Sequence, residues 1–221
     1  MSVKIITDST ADMPDSGKSR ILTVPMHVRF GSEEYLDGVT LSRQDFYEKL
    51  AQSKELPATS QPSPAAFAEI FEQVVSAGDT AVVITISAKL SGTYQSACIA
   101  AEEYAGKVFV VDSATVALGT GAFALRAVQL AEDGLEAAAV AAQLEQEIRV
   151  NIKGKEEVDL EWGGKLVFIN SVVGGDHHAR GVGGGIPGHA LQAPGRVDEL
   201  FHPLIVIVHF LQLGTDLQSL L

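Results

Sequence analysis

The chain has 221 residues, 46% of them hydrophobic, and a formal net charge of −12. Length and hydrophobic content suffice to bury a core without disulfide or metal staples and weigh against disorder for most of the chain. The negative charge weighs against nucleic-acid phosphates and anionic membranes as partners, leaving only a local basic patch as a route to them.

The single cysteine, Cys98, permits no intramolecular disulfide and fits a reducing compartment. The start, Met1 to Thr7, is too short an apolar run for a signal peptide, and Asp8 interrupts it. No stretch reaches the roughly 18 apolar residues of a membrane helix. The longest, Leu204 to Leu213, is broken by His209 and Gln212. These features predict a cytoplasmic protein without stable membrane insertion.

Residues 1 to about 149 alternate between strand-like and helix-like patterns. Val3 to Thr7 reads as a buried strand, and Ile21 to Phe30 as an extended run bent at Pro25. Ser42 to Ser53 reads as a helix capped by Ser42, with Phe46, Tyr47 and Leu50 on one face. Ser63 and Pro64 stand in the favoured cap and first-turn positions of the next helix. Its Phe67, Ile70, Phe71 and Val74 recur at helical spacing until Gly78. Ala81 to Ile86 is the clearest strand, followed by a helix from Thr93 to Ala105 and a strand from Lys107 to Val111. Two alanine-rich helices, Gly119 to Glu132 and Leu135 to about Arg149, are split at Asp133-Gly134. Strands alternating with helices imply parallel β-α-β units, and continuous apolar strands imply a sheet covered on both faces. The expected fold class is α/β: a Rossmann-like parallel sheet with helices on both faces, over residues 1–150.

Residues 151–221 differ in character and are expected to form an atypical, incomplete or poorly ordered second region. Five of the six histidines and twelve of the 21 glycines lie from position 150 onward. Lys165 to Val173 and Leu204 to Leu211 are strand-like, with a long loop-rich stretch between them, uncommon inside a compact domain. The abrupt change of composition raises the hypothesis of a truncated or frameshifted reading beyond residue 150.

Ligands of open parallel sheets bind outside the carboxyl ends of the strands, and the polar motifs fall there. The first strand runs into Asp8-Ser9-Thr10-Ala11-Asp12, the 81–86 strand into Ser87 and then Ser91-Gly92-Thr93, and the 107–111 strand into Asp112-Ser113. The loop Thr59-Ser60-Gln61-Pro62-Ser63 precedes a helix on the same edge. Hydroxyls beside the free N–H groups of a helix start suit an anionic head group. Plainer readings stand beside this one. Asp8-Ser9-Thr10 and Asp112-Ser113 serve equally well as turn ties or caps. Gly92 could be only a tight turn, Thr93 only a cap, and Gln61-Pro62 a rigid turn. Cys98 reads as a small core residue, and Trp162 as packing or a loop anchor.

Other chemistries are weaker. Gly183-Gly184-Gly185-Ile186-Pro187-Gly188 fits a dinucleotide fingerprint formally, but Pro187 argues against that turn. His177-His178 lacks metal-ligand spacing. There is no Gly-x-Ser-x-Gly elbow and no Gly-Lys-Ser/Thr phosphate loop.

Taken in order, Lys4 to Asp12, Tyr35-Leu36-Asp37-Gly38, Thr59 to Ser63, Leu90 to Ala97 and Val111-Asp112-Ser113 resemble the DegV family of bacterial fatty-acid-binding proteins. Each motif is modest alone; five in order are specific. The resemblance implies a non-catalytic subunit that needs no cofactor. It buries the chain of a long-chain fatty acid and presents the carboxylate to the ATP-binding subunit of fatty acid kinase, which makes the acyl phosphate. It also implies that Thr59 and Ser91 hydrogen-bond the carboxylate. Ser60, Gly92, Thr93, Asp8 and Ser9 complete the candidate ligand-binding set. The family's second α/β domain, with its Gly-Gly-Arg segment, has no counterpart after residue 150. Two alternatives remain open: a small-molecule enzyme with Ser91 as nucleophile, requiring a base within about 3 Å, or a truncated product with an incomplete site.

Overall fold

The computed structural model describes residues 2–154; the expectations for 155–221 lie outside the described residues. β-branched runs form a four-stranded parallel sheet from β1 (Val3–Asp8), β2 (Ile21–Val24), β6 (Thr80–Thr85) and β7 (Val108–Asp112), in the order β2-β1-β6-β7. Its register sets Ile5 beside Ile21 and Val82, and Ile84 beside Val111. Successive side chains point to opposite faces, so both faces of each inner strand need cover. Val82, Ile84 and Val111 pack with Phe123, Ala124 and Ala127 of α5 (Leu118–Glu132) and with Val140 and Leu144 of α6 (Ala137–Gly154). Ala81, Val83 and Val108 pack on the other face with Phe67, Phe71 and Val74 of α3 (Pro64–Ser76) and with Ala97 and Ala100 of α4 (Thr93–Ala101). The α/β architecture with helices on both faces is therefore present.

The run from Ile21 to Phe30 is more than a bent strand. Pro25 lacks an N–H and cannot continue a ladder, so β2 ends at Val24 and β3 (His27–Phe30) begins in a different sheet. That second sheet is antiparallel, ordered β4-β3-β5, with β4 (Glu33–Leu36) and β5 (Ala58–Ser60) on its edges. Its core is Met26, Val28, Phe30 and Leu41 against Phe46 and Leu50 of α2 (Arg43–Gln52). The Phe30 and Phe46 rings meet edge-on at 5.6 Å.

Local signals act as expected at the helix ends. Ser42 Oγ accepts the Asp45 N–H at 3.1 Å, and Ser63 Oγ accepts the Ala66 N–H at 3.2 Å. Gly78 adopts φ +81° just past α3, which favours glycine. A four-residue helix, α1 (Asp15–Lys18), follows β1. The helix expected over 93–105 ends at Ala101 and tightens into a 3-10 turn over Glu102–Tyr104. The last helix among the described residues begins at Ala137 and crosses residue 150 to reach Gly154.

Candidate functional site

Side chains tie the carboxyl ends of β1, β6 and β7 together. Asp8 is fully buried. One of its oxygens accepts the Thr10 N–H (3.0 Å) and the Thr10 hydroxyl (2.5 Å); the other accepts the Ile86 N–H at 2.8 Å. Asp112 accepts the N–H groups of Ala88 and Ala114 at 3.0 and 2.9 Å. Ser113 donates its N–H to the Thr85 carbonyl, and Ser87 donates its N–H to the Thr115 carbonyl. The plain reading of both aspartates as ties between turns thus describes their contacts; parallel pairing sets the three strand ends on one rim, and these ties fix the turns beyond them.

The loop after β7 is held under strain. Ala114 and Ala117 adopt φ +52° and +59°, a region that costs a residue with a side chain about 1–3 kcal/mol. Asp12 secures the far end, donating its N–H to the Ala117 carbonyl at 3.1 Å. Gly121 on α5 packs against this segment so closely that a methyl group there would meet the Asp12 carbonyl.

The hydroxyls cluster at the start of α4. Ser91 Oγ and Thr93 Oγ1 lie 2.8 Å apart, and Ser91 Oγ also accepts the Thr93 N–H at 3.3 Å. Among the described residues, the Ser91 hydroxyl is bonded to this hydroxyl and this N–H, neither of which is a base. Thr93 is fully buried and lies within 3.6 Å of the Met26 sulfur. Ser9 accepts the Met26 N–H at 3.0 Å. Met26 therefore joins the first loop to the α4 loop. It stands in a single extended turn after Pro25, with no periodicity to reveal its role.

Residues 58–60 form a strand where a loop was expected. The reason is backbone pairing from afar: Thr59 stands opposite Val28 and Ser60 opposite His27. Directly opposed residues share a face and consecutive ones do not. Thr59, half-buried, therefore lies on the face of Val28 and Met26, while Ser60, exposed, points to the other face. Gln61 continues past the strand and donates from Nε2 to Ser96 Oγ on α4 at 3.2 Å. The rigid-turn reading of Gln61-Pro62 gives no hint of that bridge.

Burial raises the pKa of two side chains on α4. Tyr94 is pushed up to about 12, by burial first and then by its hydrogen bond with Cys98. Burial also raises the Cys98 thiol above its usual value, which suits a packing role over a reactive one. A cavity of about 670 Å³ lies at the opposite edge, where Val3, Thr80 and Phe109 start or flank their strands; it is separate from the hydroxyl rim.

The family model described as "Uncharacterised protein, DegV family" matches residues 2–154. The chain belongs to the DegV family. A DegV domain-containing protein of Deinococcus radiodurans is 40% identical over 148 residues, covering 66% of this chain and 53% of its own length. A second, from Caldanaerobacter subterraneus, is 33% identical and covers 78% of this chain and 64% of its own length. The chain thus spans between about half and two thirds of these DegV relatives. Among solved structures, a fatty-acid-binding DegV protein of Thermus thermophilus is 38% identical with a TM-score of 0.61, covering 67% of this chain and 54% of its own. A stearic-acid-binding protein of Eubacterium ventriosum is 30% identical with a TM-score of 0.59, covering 66% and 52%. Among the described residues of this DegV chain, no helix is long and apolar enough to cross a membrane.

Proposed function

We propose that this chain binds a long-chain fatty acid with its carboxylate at the hydroxyl rim. The observation that carries the reading is the half-buried Ser91 hydroxyl at the start of α4, bonded to Thr93 and, among the described residues, to no base. That arrangement donates to an anion without activating a nucleophile. The fatty acids held by the Thermus and Eubacterium relatives support the same ligand class.

In this reading Ser91 and Thr59 hydrogen-bond the carboxylate, and the N–H groups around Gly92 and Thr93 add partial positive charge. Ser9 and Asp8 act by positioning, Ser9 through Met26 and Asp8 through the 8–10 turn. Burial of the alkyl chain supplies affinity, about 0.8 kcal/mol per CH₂, and the hydroxyls set orientation. The bound carboxylate is then the substrate of a separate kinase subunit. Its oxygen attacks the terminal phosphate of ATP, the bond to ADP breaks, and an acyl phosphate and ADP result; no group of this chain takes part covalently.

Native mass spectrometry of the purified full chain tests the carrier role. The expected spectrum carries a co-purified or added stearic acid, with occupancy reduced in Thr59→Ala and Ser91→Ala. A full-length protein that neither carries nor takes up fatty acid refutes the reading. Acyl phosphate formation with ATP and the kinase subunit, dependent on this chain, tests the second step.

A further inference from the structure

Gly92 is not a glycine for the sake of its backbone. Its φ of −72° and ψ of 5° are open to ordinary residues. A methyl group on its α-carbon would instead overlap Gln61, with the carboxamide carbon and nitrogen 2.7 Å away. The Gln61 carboxamide therefore lies directly on Gly92. From there it donates to Ser96, which is 3% exposed and whose own N–H donates to the Gly92 carbonyl.

We propose that Gln61 is a positioning residue for the head-group site, fastening the Thr59 segment to the Ser91 segment, and that position 92 is glycine to admit it. The inference rests on the fatty-acid reading above. Thr59 lies two residues before Gln61, and Ser91 immediately before Gly92. β5 has three residues and, among the described residues, is an edge strand paired to β3 alone, so the described backbone fixes Thr59 from one side only. Recognition of a carboxylate by neutral hydroxyls depends on spacing, because each donor must come within hydrogen-bond distance of its oxygen. Gln61 supplies the second tie.

A double-mutant cycle in the full chain tests this, with [1-¹³C]stearate as probe. Gln61→Ala and Gly92→Ala each weaken binding about three- to tenfold, the size of one neutral hydrogen bond. The double variant is no weaker than the weaker single variant, because both changes remove one contact. The carboxyl ¹³C resonance shifts alike in all three, a signature that reduced stability alone does not produce. Losses that multiply in the double variant, or wild-type affinity and shift in either single variant, overturn the proposal. Urea midpoints of the same four proteins read the contact without ligand. If the wild-type chain binds no stearate, the carrier reading fails on its own account. Non-additive midpoints then uphold the Gln61–Gly92 lock, and additive midpoints overturn it.

Discussion

Removing the Asp8 carboxyl group should cost about as much stability as truncating a large apolar core residue. Asp8 is fully buried and accepts from Thr10 N–H, Thr10 Oγ1 and Ile86 N–H. In Asp8→Ala the Thr10 hydroxyl can rotate toward another acceptor, but the two backbone N–H groups stay in place and buried. An abandoned buried donor costs about 1–3 kcal/mol. For the two N–H groups the expected loss is therefore about 2–6 kcal/mol, a large share of the roughly 5–15 kcal/mol that holds a domain together. Followed by far-UV circular dichroism in urea, it should lower the midpoint by roughly 2 M. Asp8→Asn, which keeps one acceptor oxygen, should lose about half as much. An Asp8→Ala protein within about 1 kcal/mol of wild type would refute the assignment of Asp8 as a structural tie. Weakened stearate binding at unchanged stability would return it to the ligand-contacting set.

Three further outcomes follow from the same geometry. Gly121→Ala should destabilise by about 1–3 kcal/mol, read by thermal melting, because the added methyl meets the Asp12 backbone carbonyl and not a mobile side-chain tip. Ala117→Gly should raise stability by about 1 kcal/mol, relief of the φ +59° strain outweighing the entropy that glycine adds to the unfolded chain. Tyr94 ionises near its ordinary 10 when unfolded and at about 12 when folded. Its contribution to stability is thus complete below pH 10 and is lost as pH rises from 10 toward 12; Tyr94→Phe should flatten that alkaline limb of a urea-midpoint profile.

The parallel sheet was legible in the sequence because its information is local. Ala81 to Ile86 is apolar at every step, and a strand covered by helices on both faces needs to be. Phe67, Phe71 and Val74 repeat at the spacing that puts them on one side of α3, and Ser63 and Gly78 mark its ends. Order along the chain then placed Asp8, Ser91 and Asp112 near the carboxyl edge, since each ends or follows a parallel strand.

The small antiparallel sheet was not legible. β5 is three residues long, too short for a period, and exists because Val28 and Arg29, some 30 positions earlier, offer it a partner. That pairing separates Thr59 from its neighbour Ser60 by turning them to opposite faces. Met26 under Thr93 and Gln61 over Gly92 likewise owe their places to contacts between segments far apart in sequence. The sequence by itself determined which residue types stand at the ends of strands and the starts of helices, because propensity, capping and hydrophobic period act within a few residues. Only the tertiary structure decided which of those hydroxyls share a face, and which polar groups are used up inside the protein, because both depend on long-range pairing and on the competition of buried donors for a limited number of acceptors.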